Sequence, residues 1–226
     1  MRSRPLAKKF TKKEVSWILD RLEETFPDAK PELVASNPFE MLVATILSAQ
    51  CTDVRVNMVT KEVYKKYKTP QDFVDLGVQG LEPLIRSCGF YKNKAKNIIA
   101  TAKILVEDYQ SQVPETIEEL VKLPGVGQKT ANVVASTCFG VDAIAVDTHV
   151  FRTSNRIGLA KAKTVEETEV QLQKAIPKDR WTKTHHLLIF LGRRICASRS
   201  PKCEICPLTE VCRYYHKNQE SKTCNG

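Results

Sequence analysis

Three groups of residues have types and spacings that can do chemistry. The first is Leu123-Pro-Gly-Val-Gly-Gln-Lys-Thr-Ala131, set between two helical apolar patterns, Thr116 to Leu123 and Gln128 to Cys138. Pro124 stops the first helix, while Gly125 and Gly127 allow a tight reversal and leave backbone N–H groups uncovered at the start of the second. Uncovered amides at a helix N-terminus make an anion site. A helix-hairpin-helix of this kind can hold a phosphate of a DNA strand without reading its sequence; an ordinary αα-hairpin with a capping glycine is the alternative. Lys129 falls in the first turn of the second helix, where the positive end of the dipole disfavours an ammonium and is expected to lower the lysine's pKa. A neutral lysine is a nucleophile that can form a Schiff base. A charged one would contact phosphate or solvent instead.

The second group is Val146-Asp-Thr-His-Val150. A helix over Gln128 to Cys138 runs about 16 Å from the hairpin, and the residues 139–146 that follow can span up to about 27 Å, so Asp147 can return beside Lys129. Asp147 also reads as the N-cap of a helix ending near Ile157, and a carboxylate can serve both purposes. The third group is Cys196, Cys203, Cys206 and Cys212, spaced C-x6-C-x2-C-x5-C. Four thiols so close in basic sequence indicate a metal centre. Zinc ribbons usually present two short knuckles and here only Cys203 and Cys206 form one, so a cubane iron-sulfur cluster fits better and zinc is the alternative. Arg199 and Lys202 lie between the first two ligands, which suggests that the cluster shapes a phosphate-binding loop. Cys51, Cys88 and Cys138 read as buried thiols and Cys224 as a tail residue.

The elements that must position these groups are helical. Three S/T-x-x-E patterns announce capping boxes, Thr11 with Glu14, Thr116 with Glu119 and Thr164 with Glu167, and Asn37-Pro38 and Thr69-Pro70 mark two further helix starts. Phe39, Leu42, Val43, Ile46 and Leu47 have helical spacing, as do Ile98, Ile99, Ala102 and Leu105. Only Val141 to Val146 looks strand-like, and one such run cannot build a sheet. The fold class is therefore all-α, with no Gly/Ser-rich linker between any two lobes.

Composition agrees. The chain has 226 residues, 42% hydrophobic and 27% charged, which excludes disorder and is long enough to bury a substantial core without disulfides. No secretory h-region follows the basic start, and the longest uncharged apolar run, Met41 to Cys51, falls far short of the roughly 20 residues a bilayer requires. Neither secretion nor membrane insertion is expected, and eight cysteines suit a reducing compartment. The formal net charge of +9 implies a polyanionic partner. Nine basic residues stand against three acidic ones from Lys178 to Lys217, and Lys92, Lys94 and Lys96 form a second cluster at the start of a predicted helix.

The LPGVGQKTANVV hairpin, the AVDTHVFR segment and the four-cysteine loop, in this order, resemble the endonuclease III family of DNA glycosylases with lyase activity, over about Asn37 to Arg213. The resemblance implies two all-α lobes with DNA across the cleft. One would be a six-helix barrel carrying the hairpin, residues 31–141, and the other a cluster-bearing lobe built from both chain ends, residues 1–30 and 142–226. It implies Lys129 as nucleophile, Asp147 as catalytic carboxylate, His149 as a supporting residue, and a [4Fe-4S] cluster on the four cysteines. Leu47-Ser-Ala-Gln-Cys-Thr-Asp53 is also similar to the family, in which Gln50 would fill the gap left by a flipped nucleotide and Asp53 would support the site. Phe90 stands where the family commonly has a leucine wedge. The implied partner is double-stranded DNA with a damaged base or abasic site, met by a monomer in the cytoplasm at the nucleoid if the source is bacterial. Adenine-mismatch glycosylases share the hairpin, aspartate and cluster but lack the hairpin lysine. A non-catalytic iron-sulfur protein that binds DNA and senses redox state is the alternative from another class.

Overall fold

The computed structural model describes residues 9–223, with side chains through residue 220, so Cys224 lies outside the described residues. Eleven α-helices follow one another: α1 Lys12–Thr25, α2 Pro38–Ser48, α3 Asp53–Val63, α4 Pro70–Ile85, α5 Tyr91–Asp108, α6 Ile117–Leu120, α7 Gln128–Phe139, α8 Thr148–Ile157, α9 Val165–Ala175, α10 Trp181–Arg194 and α11 Arg213–Thr223. No strand occurs among the described residues; 141–147, the strand-like run of the sequence, has no regular secondary structure.

The predicted helix starts are present, but the caps differ in detail. Thr11 and Glu14 form a reciprocal capping box, and so do Thr69 and Asp72. At α6 and α9 the threonine caps the N3 amide, yet each glutamate turns elsewhere: Glu119 to Tyr109 and Lys122, Glu167 to the amide of Lys163. Each glutamate takes another nearby donor in place of the N-cap amide. Asn37 caps α2 ahead of Pro38 by accepting from the amide of Glu40.

The chain divides into two compact units, Pro31–Val141 and the described residues on either side of it. In the first, α2 is buried on nearly every side, and Phe39, Leu42, Ile46, Leu81, Ile98, Leu105 and Val134 share one core, with the Phe39 and Phe73 rings edge to face at 5.1 Å. α4 and α5 form its main antiparallel pair; α4 bends at Gly77, whose φ of 66° glycine alone takes without strain. In the second, α8 lies against α10, and Val150, Ile157, Leu187 and Leu191 meet Ile18 and Leu22 of α1. No described helix is long and apolar enough to cross a membrane.

Candidate active site

The hairpin is held by one side chain and one glycine. α6 is a single turn, shorter than its apolar pattern, because Pro124 lacks an amide and turns the residue before it away from helix. The Thr101 hydroxyl of α5 donates to the Pro124 carbonyl at 2.9 Å, and Val126 buries its side chain while its amide donates to Leu123. Gly125 has φ 77°, and a Cβ there would stand 2.8 Å from the side chain of Asn97, so both its conformation and its space require glycine. Gly127 is the N-cap of α7 and no side chain caps that helix, which leaves the amides of its first turn available to an anion. Lys129 is its second residue, exposed, with no hydrogen bond or ion pair among the described residues.

Asp147 is the N-cap of α8. Its Oδ1 accepts from the amides of both His149 and Val150 at 2.8 Å. Oδ2 takes no hydrogen bond among the described residues, so the carboxylate is oriented through one oxygen and has the other to spare. The segment that delivers it, 141–147, buries Ala143, Ile144, Ala145 and Val146, and His185 sits with Nδ1 2.6 Å from the Ala145 carbonyl. His149 is half-buried, its Nδ1 3.1 Å from Nη2 of Arg152.

Gln50 and Phe90 are both exposed, and both have left-handed backbones, φ 53° and 45°. For non-glycine residues this costs on the order of 1–3 kcal/mol each, strain that tertiary structure must hold. Phe90 is 66% exposed, which excludes a core role. Asp53 opens α3 behind the N-cap Thr52 and is half-buried.

Cys196, Cys203, Cys206 and Cys212 line one small, partly open pocket, together with Ile195, Tyr214 and Tyr215. Arg156 Nη1 donates to Cys196 Sγ at 3.4 Å, and the Cys212 thiol donates to the Arg156 carbonyl at 3.5 Å. Burial pushes the Cys206 and Cys212 thiols up, the latter to about 11, so metal coordination there would displace protons. Among the described residues no three His, Cys, Asp or Glu groups converge as ligands of a single ion. Arg199 and Lys202 are exposed on this loop, on either side of Ser200, whose φ is 51°.

A hairpin with bare amides, an unpartnered lysine on its second helix and an aspartate heading the next helix match a family model over residues 43–178, that of the HhH-GPD superfamily base excision DNA repair protein. The chain belongs to this family. It is 51% identical to the Endonuclease III of Bacillus subtilis (strain 168), covering 92% of this chain and 95% of that one. With the Endonuclease III of Escherichia coli (strain K12) it shares 46% identity, over 88% and 95% of the two chains. Among solved structures, it superposes at a TM-score of 0.88 and 50% identity, over 93% of this chain and 99% of the other, on a chain described as the structure of a non-covalent Endonuclease III-DNA complex. A trapped Endonuclease III-DNA covalent intermediate matches equally well.

Three residues that matter to this family member were not singled out from the sequence as site residues. Arg152 and Arg156, one turn apart on α8, fasten the cysteine loop: Arg152 Nε donates to the Cys196 carbonyl at 3.1 Å, and Arg156 to the carbonyls of Ala197 and Ser198 at 2.7 and 2.9 Å. Their spacing of four on the helix that begins at Asp147 was the available signal. Lys94 does not belong to an exposed basic cluster with Lys92 and Lys96; it is 6% exposed and bonded to backbone carbonyls. Of the basic surplus after Lys178, Arg180 pairs with Asp20 and Glu23, Arg194 with Asp28, and Lys183 donates to the Ala29 carbonyl. The charge free for a polyanion is smaller than the count implies. Likewise Cys88 is buried, whereas Cys51 and Cys138 are only partly so.

Proposed function

We propose that this protein is a bifunctional DNA glycosylase/AP lyase that removes oxidised pyrimidines from double-stranded DNA and cuts the strand 3′ to the abasic site by β-elimination, through a Schiff base on Lys129. It is an enzyme of base excision repair. The observation that carries the reading is the hairpin, where an anion-binding turn leads directly into an exposed lysine with no competing partner, in a chain half identical to Endonuclease III along nearly its whole length.

The amides at Gly125 and Gly127, with Arg199 and Lys202, would hold backbone phosphates on either side of the lesion without reading sequence. Extrusion is cheapest for damaged bases that already stack or pair poorly; Phe90 would enter the stack and Gln50 would fill the space left behind. The Lys129 amine then attacks the anomeric carbon, the bond to the base breaks, and ring opening leaves an imine between Lys129 and the sugar. Asp147 would take the lysine proton and stabilise the positive charge that develops on the sugar. With Oδ1 committed to the cap, Oδ2 is the oxygen for that work, while Asp53 and His149 support the arrangement. β-Elimination from the imine breaks the 3′ carbon–oxygen bond.

Cys196, Cys203, Cys206 and Cys212 would hold a [4Fe-4S] cluster, which when bound would supply four thiolate–iron anchors for the loop bearing Arg199 and Lys202. The Arg156 charge beside Cys196 suits a sulfur that carries negative charge. On this reading residues 31–141 form a barrel domain with the hairpin and the rest an iron-sulfur domain. The enzyme works as a monomer, in a bacterial cell in the cytoplasm at the nucleoid.

Borohydride is expected to trap wild-type protein on abasic DNA, and Lys129→Ala to abolish trapping while retaining binding. Undiminished trapping by the variant removes Lys129 from the role of nucleophile, and absence of any cleavage at abasic sites by the wild type leaves only a DNA-binding protein. Iron and sulfide are expected at four each per chain. Stoichiometric zinc in protein made with ample iron overturns the cluster.

A further inference from the structure

The Lys94 ammonium is the buried cation of the hairpin-bearing unit, and it sits where two separate segments end. Its Nζ donates to the Leu47 carbonyl at 2.8 Å and to the Cys88 carbonyl at 2.7 Å, and its backbone amide donates to the Phe90 carbonyl at 3.1 Å. Leu47 lies in the last turn of α2, three residues before Gln50; Cys88 ends the short 3-10 turn Arg86–Cys88, two residues before Phe90. Carbonyls at helix ends lack intrahelical partners and carry the negative end of the dipole, so a cation between two of them is favoured. A methionine would fill the same volume without the cost of desolvating a charge. What the ammonium adds is a bridge, since three fork-like donors on one atom can join two segments that make no ladder with each other. The ionisable groups that act on it are the Cys51 and Cys88 thiols, the first next to Gln50 and the second two residues before Phe90, and no carboxylate of the described residues pairs with it. Burial lowers its pKa without removing the geometry.

We propose that Lys94 is a positioning residue for base extrusion: by tying the end of α2 to the turn before α5, it holds Gln50 and Phe90 in their left-handed conformations at a fixed separation. Both residues keep positive φ although neither is glycine, and each follows within two or three residues a carbonyl that Lys94 holds. This rests on the reading of Gln50 and Phe90 as the residues that enter the DNA stack. Free of the bridge, each tip would relax toward ordinary backbone, and the two would enter the stack out of step.

The test compares single-turnover rates on a duplex carrying thymine glycol with cleavage of an abasic site in a flexible single strand, and reads their ratio. Lys94→Met is expected to lower the duplex-to-single-strand ratio at least tenfold and to reduce the fluorescence rise of 2-aminopurine placed beside the lesion. Lys94→Arg, which can still fork donors to two carbonyls, is expected to stay within about threefold of wild type. In a Gln50→Ala, Phe90→Ala background, Lys94→Met should lower the ratio no further, because the tips it positions are gone. An unchanged ratio in folded Lys94→Met, or a full multiplicative loss in that double-alanine background, overturns the proposal. If circular dichroism shows that Lys94→Met does not fold, Lys94→Gln is judged by the same criteria; if neither folds, Lys94 holds the core rather than the tips and the proposal is wrong. A wild-type ratio in the double-alanine protein itself sinks the underlying reading of Gln50 and Phe90, which separates that failure from a failure of Lys94.

Discussion

The hairpin-bearing unit and the cysteine-bearing unit prepare their functional residues by opposite means. In the first, special backbone does the preparing: the uncapped amides of α7 that lead into Lys129, a glycine at φ 77°, and two left-handed residues at the exposed tips that present Gln50 and Phe90. Side chains there, Thr101 and Lys94, act on carbonyls to hold the backbone in place. In the second, the useful groups are side chains, and backbone serves them. Asp147 is aimed by two amides of its own helix, and the cysteine loop is pinned by guanidinium groups of Arg152 and Arg156 reaching its carbonyls. A phosphate grip made of backbone tolerates changes of side chain that keep φ and ψ, which does not extend to Lys129, Gln50 or Phe90. A site made of side chains fails with single atoms.

The widest gap between the two should appear at Asp147. Asparagine caps a helix as well as aspartate does, so Asp147→Asn should retain the melting temperature yet lose about 2 to 4 kcal/mol of transition-state stabilisation, read as single-turnover base release. A variant with near-normal turnover would reduce Asp147 to a cap and erase the contrast. Next is Arg156→Ala, which strips charged hydrogen bonds from two carbonyls and one sulfur. We expect a stability loss of about 2 kcal/mol and iron lost faster to a chelator; unchanged iron retention would show that the loop does not depend on α8.

Acid should act on the cysteine-bearing unit through His186. Burial, with His185 and Lys183 nearby, lowers its pKa to about 3, and its Nε2 has no hydrogen-bond partner among the described residues. The unfolded chain therefore takes up this proton first, near the ordinary value of about 6.5. Its contribution is present above that pH and lost as pH falls toward 3, about 1 to 2 kcal/mol of it between pH 7 and 5. Denaturant melts of wild type and His186→Phe should diverge in pH slope across that window; parallel slopes would remove His186 as the cause. The smallest effect belongs to the backbone-built hairpin. Thr101→Val loses the bond to the Pro124 carbonyl, about 1 kcal/mol, and should weaken binding to lesion-free and lesioned duplexes alike. A loss confined to lesioned duplex would mean that the hairpin does more than grip phosphate.

Sequence by itself determined the helical class, the hairpin and its lysine, the aspartate cap and the grouping of cysteines. These rest on local physics: proline and glycine act where they stand, caps act within four residues, and close thiol spacing survives any fold. Charge was the least legible property. Lys94 reads in the chain as one of three neighbouring lysines, and Arg180 and Arg194 as part of a basic stretch. Only tertiary structure put the first into a core between two carbonyls and gave the others carboxylates of α1 and of Asp28 just beyond it, more than 150 residues away. Likewise the glutamates three residues after Thr11, Thr116 and Thr164 could each be a cap partner or something else until the donors around them were in place. Phe90 was placed only by resemblance, at the wedge position; its exposed, left-handed backbone after Gly89 comes from the folded chain. The physical reason is common to all of these. Backbone conformation answers to nearest neighbours in the chain, whereas the partner of a long charged side chain is set by whatever the folded chain brings within its reach.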